Sequence, residues 1–322
     1  MTLAQGSSLT SRRIAQGDIA VEDVACNLCG ARDARVLYPS TLGVDHLHPE
    51  TSHFRCTTAT YGIHPTIVRC NNCGLVYANP RLDARTIDDE YAAVDDPVYI
   101  EERDGRVLTF RRNLRPLEAL VRAPAPRRLL DVGCHIGVML EIAQERSWVA
   151  TGVEPSAWAA ARGRERGLNV INATLANANL PDDSFDAVTL WDVVEHLTNP
   201  AGDLEHVYRV LKPGGVVAIH TIDIESLLAR AMGSRWPWLM EMHLYYFSPR
   251  TLGRMLQQIG FKTERVIYQG RYLRLQYLLT RVRPYSRALA RSLEWTADRL
   301  QLCGMAVPIN FGDLFTIFAR KP

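Results

Sequence analysis

Short apolar runs alternate with amphipathic stretches along the second half of the chain. Seven runs have the length and bounds of strands: 128–132, 149–153, 169–172, 187–191, 216–221, 262–268 and 314–319. Four stretches between them have apolar residues at helical spacing: 138–146, 156–166, 200–211 and 249–258. Such alternation is typical of a parallel sheet whose strands are joined by crossover helices. We therefore predict an α/β domain with a seven-stranded, mostly parallel sheet over residues 127–322.

The segments before this domain have a different pattern. Residues 1–24 show no periodicity, which predicts an irregular, mobile arm with a short helix near Arg12. Residues 81–126 carry helical stripes at 83–91 and 103–121 and end at two prolines. They predict a helical linker that either packs on the sheet or covers a ligand.

An arginine-rich insertion lies at 271–305, just before the last predicted strand. Its arginines interleave with leucine and tyrosine residues, which predicts a pair of amphipathic helices. Three interpretations stay open: packing on the domain, packing against a second copy of the chain in a homodimer, or, over 271–291, peripheral contact with a membrane or a lipid-linked substrate. No run of about 18 apolar residues occurs, so no transmembrane segment is predicted.

The first predicted strand of the α/β domain ends in an acid and is followed by a turn with two glycines. The acid is Asp131, and the glycines are Gly133 and Gly137. In open α/β sheets a ligand binds here, between the carboxyl end of the strand and the start of the helix. A dinucleotide fingerprint counted from Gly133 would need glycine where His135 and Val138 stand, and the turn has no lysine for a phosphate loop.

A second acid, Glu154, ends the next predicted strand about 20 residues further on. A carboxylate at this place can accept hydrogen bonds from both hydroxyls of a ribose. The glycine turn and this acid together predict a site for a nucleoside without a pyrophosphate.

Four stretches, in this order and spacing, resemble the class I S-adenosylmethionine-dependent methyltransferases. They are Leu130–Cys134 with Gly137, Gly152–Ser156, Leu180–His196 and Arg209–Gly215. The resemblance covers about 127–268 and returns weakly at 313–320. It implies a doubly wound, Rossmann-like sheet of seven strands, a methyl-transfer reaction and S-adenosylmethionine as the methyl donor.

The resemblance also implies which residues would bind the donor. Asp131 would order the glycine turn and the donor's amino group, and Glu154 would hold the ribose. Thr174–Leu175 stand where the family often has an acid and an apolar residue beside the adenine, and Trp191–Asp192 would lie near the methionine end. The predicted donor-binding set is Asp131, Gly133, Cys134, His135, Gly137, Glu154, Pro155, Thr174, Leu175, Trp191 and Asp192.

Methyl transfer from a sulfonium needs the acceptor held in line with the methyl group, and a base only when the acceptor is a hydroxyl or an acidic carbon. Two histidines are the candidate bases. His196 belongs to a Glu-His pair that resembles the family's pair, which in some relatives helps to hold a divalent cation, and His243 follows the fifth strand. Aromatic side chains with polar tips around His243 suit a sugar face or a ring substrate. The predicted substrate-binding residues are Trp236, Trp238, Glu241, Tyr245 and Tyr246.

Two Cys-x-x-Cys-Gly turns lie in the segment 25–80. Each turn places two thiolates on one side of a knuckle, and two knuckles complete a tetrahedral Cys₄ zinc site. The predicted ligands are Cys26, Cys29, Cys70 and Cys73. Redox dithiols or reduced structural cysteines are the alternatives, and one of five residues between the knuckles could replace a ligand: Cys56, His46, His48, His53 or His64.

The segment that follows the second knuckle, Cys73 to Pro80, is similar to the zinc-binding domain that precedes some methyltransferase domains. A domain of about 50 residues is marginal without such a staple, so we predict a small, zinc-ribbon-like structural domain. The resemblance implies a sugar as the substrate, because proteins of this two-domain kind often act on sugars in saccharide or natural-product pathways.

Composition narrows the classes of function. The chain has 322 residues, 47% of them hydrophobic, and a formal net charge of +2. Balanced charge without a basic stripe near the knuckles predicts no nucleic-acid partner. The first 24 residues lack the apolar core of a signal peptide, and seven cysteines suit a reducing compartment, so we predict a cytoplasmic protein.

The sequence thus predicts an S-adenosylmethionine-dependent methyltransferase with an N-terminal zinc-binding domain. The predicted acceptor is a small molecule, a hydroxyl or carbon of a sugar or glycoconjugate in a biosynthetic pathway. A lipid or aromatic natural product is the alternative acceptor. An alternative of another class is a non-catalytic module that binds zinc and the donor and recruits a partner.

Overall fold

The computed structural model of the protein describes residues 13–16, 19–42, 54–58, 60–280, 282 and 286–322. The first elements are strands β1 (Arg13–Gln16) and β2 (Ile19–Glu22), which pair antiparallel. These paired strands differ from the irregular arm predicted for residues 1–24, and the short helix predicted near Arg12 lies outside the described residues. Ile19 and Val21 are β-branched residues, which favour strands. Strand β2 also pairs with a second strand further along the chain, and the local sequence of residues 1–24 gives no indication of that pairing.

The cysteine-rich segment forms a small antiparallel sheet. Its strands are β3 (Ala34–Tyr38), β4 (Ile67–Cys70) and β5 (Val76–Ala78). The two-residue strand β6 (Arg81–Leu82) then pairs with β2. The knuckles precede β3 and connect β4 to β5, so the sheet holds both pairs of cysteines at one end.

Three helices follow and cover one side of the α/β domain; we refer to them together as the cap. They are α1 (Ala84–Ala93), α2 (Pro97–Glu101) and α3 (Arg103–Leu120). Helices α1 and α3 confirm the two predicted stripes. The short helix α2 was not predicted; its start is marked by Asp96, whose side chain accepts a hydrogen bond from the Tyr99 amide, and by a proline at the first helical position.

The first five strands of the α/β domain alternate with helices as the periodicity predicts. The order is β7 (Arg127–Val132), α4 (Val138–Glu145), β8 (Trp148–Val153), α5 (Ala157–Glu165), β9 (Val170–Ile171), β10 (Phe185–Trp191), α6 (Pro200–Val210), β11 (Leu211–Ile222) and α7 (Leu227–Met232). Strands β7 to β11 pair parallel, and their carboxyl ends therefore meet at one edge of the sheet.

The remaining elements complete the sheet and build the insertion. They are β12 (Tyr245–Tyr246), α8 (Pro249–Ile259), β13 (Lys262–Tyr268), β14 (Arg271–Arg274), α9 (Leu275–Thr280), α10 (Arg287–Arg299), β15 (Ala306–Ile309) and β16 (Leu314–Arg320). The order of the main sheet is β13-β16-β11-β10-β7-β8-β9, and β16 alone runs opposite to the other six strands. This confirms the predicted Rossmann-like, mostly parallel sheet of seven strands.

The insertion differs in part from the predicted helix pair. Two helices, α9 and α10, are present, but the antiparallel pair β14–β15 closes their base. The strand β14 packs on α3: the Tyr272 amide donates to Thr109 Oγ1 over 2.8 Å, and Arg274 bonds the Glu102 carboxylate over 2.8 Å. Pairing between segments more than 30 residues apart leaves no local pattern in the sequence. The spacing of apolar residues in the insertion therefore predicts helices only.

The cysteine-rich sheet includes one strand from the α/β domain. Strand β12 lies after the fifth parallel strand in sequence, yet it pairs with β5, so that Tyr245 stands opposite Tyr77. The main apolar core also runs across both parts, from Cys26 and Tyr77 through Leu190 to Phe315. The cysteine-rich segment is therefore packed as a wall of the α/β domain.

Candidate active site

A cavity of about 860 Å³ opens at the carboxyl ends of the parallel strands. The loops after β7, β8 and β10 form its floor, and the cap and the insertion form two sides. A further side comes from Phe54, Cys56, Thr58 and Tyr61, which lie in the connection between the two knuckles. Four segments far apart in sequence therefore enclose one site at the place where open α/β sheets bind ligands.

The glycine turn lies on the cavity floor. Gly133 has a φ of 67° and a side chain there would meet Val193 at 2.7 Å, so only glycine fits without displacement. Gly137 also has a positive φ, 84°, but it begins α4 against Leu168 and does not line the cavity. The first glycine therefore serves the site, and the second serves the packing of the helix.

Glu154 lies where the sequence predicts, on the cavity wall at the end of β8. Its two carboxylate oxygens accept hydrogen bonds from the backbone amides of His135, at 2.8 Å, and Ser156, at 2.9 Å. Burial raises its pKa to about 7, against the opposing effect of the two amides. The acid therefore ties the glycine turn to the second strand and is placed to face a ligand at the same time.

Of the other loop residues, Pro155 and His135 line the cavity, whereas Asp131 and Cys134 lie beneath it. The Asp131 carboxylate accepts a 2.6 Å hydrogen bond from Thr189 on β10, and burial raises its pKa to about 7. The Cys134 thiol packs where a side chain at residue 152 would otherwise stand. Both residues support the turn from below.

The two predicted dipeptides line the cavity as well. Thr174–Leu175 lie on the wall after β9, and Trp191–Asp192 lie on the wall after β10. Asp192 has a φ of 56°, and its carboxylate receives Arg271 Nη2 at 3.0 Å. Although burial opposes the charge, Arg271 and then His220 lower the pKa of Asp192, so this carboxylate is ionised inside the cavity.

The two candidate bases come together. The His196 and His243 ring centroids are 4.8 Å apart, and a ring nitrogen of each lies within 4.8 Å of a Glu195 carboxylate oxygen. His196 Nδ1 is 3.0 Å from the Met242 carbonyl and 2.9 Å from the Tyr91 hydroxyl, which can accept as well, and His243 Nδ1 is 2.7 Å from the Trp238 carbonyl. Because a carbonyl only accepts, each Nδ1 carries the hydrogen, and each Nε2 carries the lone pair.

The protonation states of this group follow from its burial. Burial lowers the pKa of His196 to about 4 and that of His243 to about 3, so both rings are neutral at pH 7. Burial, and then the charge of Asp192, raises the pKa of Glu195 to about 8, so this acid is protonated. The group therefore offers two neutral imidazoles and one carboxylic acid to an acceptor.

Of the predicted substrate-binding residues around His243, one lines the cavity and the others are buried in the core. Trp238 lines the cavity and donates its indole hydrogen to Asp313 over 2.9 Å. The structure does not bring the other predicted substrate contacts to the cavity wall: Trp236, Tyr245 and Tyr246 are fully buried, and Glu241 is buried. Trp236 donates to Asp313 over 3.1 Å, the Tyr245 hydroxyl accepts from Arg81 at 3.3 Å, and the Tyr246 hydroxyl donates to the Met240 carbonyl over 3.3 Å.

Several cavity residues were not predicted from the sequence. The cap contributes Tyr91, Tyr99, Arg106 and Phe110, the insertion contributes Arg271, and the knuckle connection contributes Phe54 and Tyr61. The arginines of the cap and the insertion were visible only as charges on amphipathic helices. Nothing in their local pattern indicates that they point inward, because that depends on how the cap and the insertion fold over the sheet.

The four knuckle cysteines converge at one point. The sulfurs of Cys26 and Cys73 are 3.4 Å apart, those of Cys29 and Cys70 are 3.6 Å apart, and all four lie within 4.8 Å of one another. Disulfide sulfurs would be about 2.05 Å apart, whereas sulfurs around a tetrahedral zinc at about 2.3 Å would be about 3.8 Å apart. The geometry fits zinc and does not fit a disulfide.

The five alternative ligands do not join this cluster in the described residues. His64 is buried and its Nδ1 is 2.8 Å from the Pro65 carbonyl, while Cys56 lines the cavity. His46, His48 and His53 lie outside the described residues. Both knuckles use glycine at positive φ, Gly30 and Gly74, as the spacing predicts.

The first knuckle also contacts the loop that carries His196. The Asn27 side chain accepts from the Ala201 amide at 2.8 Å and donates to Asn199 over 2.8 Å. Asn199 in turn caps the start of α6, three residues after His196. The cysteine cluster is thus connected to the candidate base through one helix cap.

Comparisons with known proteins identify the class of this domain. A family model described as a methyltransferase domain matches residues 100–266. The ubiquinone biosynthesis O-methyltransferase of Pseudomonas fluorescens strain Pf0-1 is 34% identical over 107 residues, which cover 31% of this chain and 46% of that protein. A probable S-adenosylmethionine-dependent methyltransferase of Mycolicibacterium smegmatis is 28% identical over 157 residues, covering 48% of this chain and 60% of that protein.

Because the family model covers more than half of the chain, the chain belongs to the methyltransferase-domain family, in its class I S-adenosylmethionine-dependent form. The match spans about half the length of the curated relatives. Among solved structures, a methyltransferase of Archaeoglobus fulgidus is 22% identical with a TM-score of 0.47, over 70% of this chain and 100% of that chain. One from Thermotoga maritima is 20% identical with a TM-score of 0.46, over 68% and 91%.

Proposed function

We propose that this protein transfers a methyl group from S-adenosylmethionine to a hydroxyl or carbon of a small molecule. The observation that carries the proposal is that one cavity holds Gly133, the Glu154 carboxylate and the pair His196–His243. The first two suit the donor's nucleoside, and the histidines suit an acceptor. Holding donor and acceptor in line supplies about 7–11 kcal/mol of the barrier.

Within this proposal the donor follows the cavity floor. Glu154 holds the ribose hydroxyls, Thr174–Leu175 flank the adenine, and Trp191–Asp192 lie near the methionine end. The Arg106 guanidinium, which reaches the cavity from α3, receives the donor's carboxylate. Titration calorimetry with S-adenosylhomocysteine tests the donor site, and transfer of a tritiated methyl group to candidate acceptors tests the reaction. Absence of measurable binding would end the proposal.

A histidine serves as the base, since the Nε2 lone pairs of His196 and His243 are unprotonated at neutral pH. Asparagine in place of either histidine keeps a donor for the carbonyl that Nδ1 contacts and removes Nε2. We expect His196→Asn or His243→Asn to lower kcat by about 10²–10⁴, the usual contribution of a general base. Donor affinity should change little. The matched control is His64→Asn, because His64 also contacts a carbonyl through Nδ1 but lies outside the cavity.

The pH profile separates the histidines from Glu195. A base acts when it is unprotonated, so a histidine with a pKa near 4 keeps kcat constant from pH 8 down to about pH 5. Glu195, with a pKa of about 8, would make kcat rise through that value. Measurement at saturating donor removes the effect of donor binding. A rise through pH 8 that disappears in Glu195→Gln would assign the role to the acid instead.

The acceptor end of the cavity favours a molecule with an apolar ring or chain. Phe54, Trp238 and Met242 line it together with Tyr277, Leu278 and Phe311 of the insertion region. This lining favours an aromatic or lipid acceptor, and the relatives named as O-methyltransferases of ubiquinone biosynthesis support a hydroxyl on such a molecule. The sugar or glycoconjugate predicted from the N-terminal resemblance stays a second candidate, because aromatic rings also stack on sugars. A paired assay with catechols and with sugar nucleotides distinguishes them.

We also propose that the insertion contacts an anionic membrane surface. It carries seven arginines against two acids, although the whole chain has a net charge of only +2. On α10 and just after it, four apolar side chains are 38–65% exposed: Leu289, Leu293, Trp295 and Leu300. Interleaved exposed apolar and basic residues are typical of an interfacial helix. No helix among the described residues is long and apolar enough to cross a membrane.

We expect the protein to sediment with vesicles that contain phosphatidylglycerol and not with pure phosphatidylcholine. The double change Arg287→Glu/Arg291→Glu should weaken this binding at least tenfold, since each basic residue at an anionic surface contributes about 1 kcal/mol. The control is Arg85→Glu/Arg111→Glu, which reverses two exposed charges on the cap. Equal binding by all variants would contradict the proposal, and a change of oligomeric state in the α10 variant would indicate a homodimer surface.

We propose that the Cys₄ cluster binds one structural zinc ion and that residues 25–80 form a zinc-binding unit, 81–126 a linker that contains the cap, and 127–322 the catalytic domain. Four protein ligands leave no open position on the metal, so zinc would supply stability and not chemistry. None of the seven cysteines forms a disulfide, which supports a reducing compartment such as the cytoplasm.

A further inference from the structure

Three aromatic and cationic groups from different elements form one stack beside the glycine turn. The His135 and Tyr99 rings lie 3.6 Å apart between centroids with an interplanar angle of 19°. The Arg106 guanidinium lies on the Tyr99 ring, with its carbon 3.5 Å from the centroid. The stack thus runs from the loop after β7 through α2 to α3 and joins the sheet to the cap.

His135 occupies a place where a glycine would be less strained. Its φ is 51°, in the left-handed region, between two glycines that also have positive φ. A residue other than glycine persists in such a conformation when the surrounding structure holds it there. The imidazole is 7% exposed, and both ring nitrogens are buried without a hydrogen-bond partner in the described part of the chain.

Side-chain hydrogen bonds therefore do not explain why a histidine stands at position 135, whereas the contacts of its ring face do. Tyr99 covers that face, and Trp158 contacts the ring edge with centroids 6.0 Å apart. A protonated imidazole would be repelled by the nearby Arg106 guanidinium. Burial, and then the charge of Arg106, lowers the pKa of His135 well below its usual value, so the ring is neutral. The imidazole is thus an uncharged ring stacked on Tyr99.

Arg106 is at the cavity end of the stack. It lines the cavity, its Nε has no hydrogen-bond partner, and among the described residues no carboxylate forms an ion pair with it. The other arginine of the cavity, Arg271, is by contrast paired with Asp192 at 3.0 Å. Arg106 is therefore the guanidinium that remains available for an anionic group of a ligand.

We propose that His135 is a positioning residue for donor binding, and that it acts by stacking under Tyr99 so that Arg106 points into the donor site. The inference rests on the proposed function, since the anionic group that Arg106 would meet is the donor's carboxylate. His135 does not touch the reacting atoms, and its effect passes through Tyr99.

The variant His135→Gly tests the inference because it should change donor binding more than stability. Glycine relieves the backbone at this φ, which offsets part of the cost of removing a buried ring, so the melting temperature of the variant should change little. Loss of the stack should weaken S-adenosylhomocysteine binding about tenfold, in line with the usual size of stacked aromatic and cation–π contacts. The KM for the donor should rise by more than kcat falls.

Two further variants isolate the stack. His135→Phe keeps a flat ring without nitrogens and should retain most of the affinity, whereas Tyr99→Leu should lose about as much as His135→Gly. Arg106→Met should weaken binding in the wild type, and its additional effect in His135→Gly should be small, because residues that act as one unit are not additive. Arg111→Met on the same helix is the control, since Arg111 pairs with Glu145 on the surface.

The outcomes separate this inference from the proposed function. If the wild type binds no S-adenosylhomocysteine, the proposed function fails. If the wild type binds and His135→Gly binds equally well, the positioning role fails. A loss of binding that accompanies a lower melting temperature, with additive effects of His135→Gly and Arg106→Met, would show that His135 only supports the fold.

Discussion

The variant Cys70→Ser is expected to lose the bound metal and a large part of its stability. Serine removes one of four thiolates that converge within 4.8 Å, and a three-ligand site holds zinc far less well. Structural zinc contributes about 10–16 kcal/mol of apparent folding free energy in small units, which is comparable with the roughly 5–15 kcal/mol that stabilises a typical protein.

The loss should extend beyond the cysteine-rich sheet. Cys70 ends β4, and β5 next to it pairs with β12 of the α/β domain. Because zinc would hold the end of this shared sheet, we expect a fall of at least about 10 °C in the melting temperature, since each kcal/mol shifts the melting temperature of a chain this long by about 2 °C or less. Metal content measured by mass spectrometry should fall from one equivalent to near zero.

Cys303→Ser is the matched control for this experiment. Cys303 is also a free thiol, but it lies in the insertion, far from the knuckles in sequence. If wild-type protein contains no metal, or if Cys70→Ser retains metal and melts like Cys303→Ser, the knuckles are reduced structural cysteines. Loss of stability only under oxidants would instead favour the redox dithiol that the spacing also allowed.

The second large effect is expected at Glu154, where glutamine should weaken donor binding by at least about 100-fold. Two ribose hydroxyls would donate to a carboxylate, and a hydrogen bond to a charged group contributes about 1.5–3 kcal/mol. The amide keeps the size of the side chain but turns one oxygen into a donor. That donor would face the amide of His135 or Ser156, each of which now donates to Glu154.

Calorimetry with S-adenosylhomocysteine measures this effect, and thermal melting reports any loss of fold. Glu165→Gln, an exposed change at the end of α5, is the control. A Glu154→Gln variant that is as stable as the control and binds as tightly as the wild type would show that this acid supports the glycine turn only.

The pH dependence of donor binding provides an independent check on Glu154. Burial raises its pKa to about 7, above the value of about 4.3 for the unfolded chain. The native state therefore keeps the proton that the unfolded chain loses, so this group lowers stability as pH rises from about 4 to 7. Donor binding needs the carboxylate, so affinity should rise with pH through about 7 in the wild type and not in Glu154→Gln.

The cysteine-rich unit also forms part of the cavity wall and contacts the start of α6. Residues between the knuckles, such as Phe54 and Tyr61, line the cavity, and Asn27 of the first knuckle bonds the cap of α6. If the knuckles bind zinc as proposed, a metal without an open position would therefore affect the cavity by holding these residues in place.

Local patterns along the chain determined most of the architecture. The alternation of apolar runs with helical stripes predicted the seven strands and the four helices between the first six, because one buried face repeats every two or every 3.6 residues. Spacing alone also predicted the glycine turn at Gly133, the acid Glu154 beside it and the two cysteine knuckles. Each of these features depends on residues that lie close together in the sequence, so a local pattern is enough to predict it.

Contacts between distant segments decided the rest. Trp236 and Tyr246 were expected at the substrate because they are aromatic and follow the fifth strand, but Tyr246 lies in β12, which pairs with β5, and both side chains are buried in the core. Tyr99 and Arg106 reach the cavity because the cap folds over the sheet. A periodic pattern reports that a face is buried; which surface buries it is determined by packing among all elements, and only the tertiary structure contains that information.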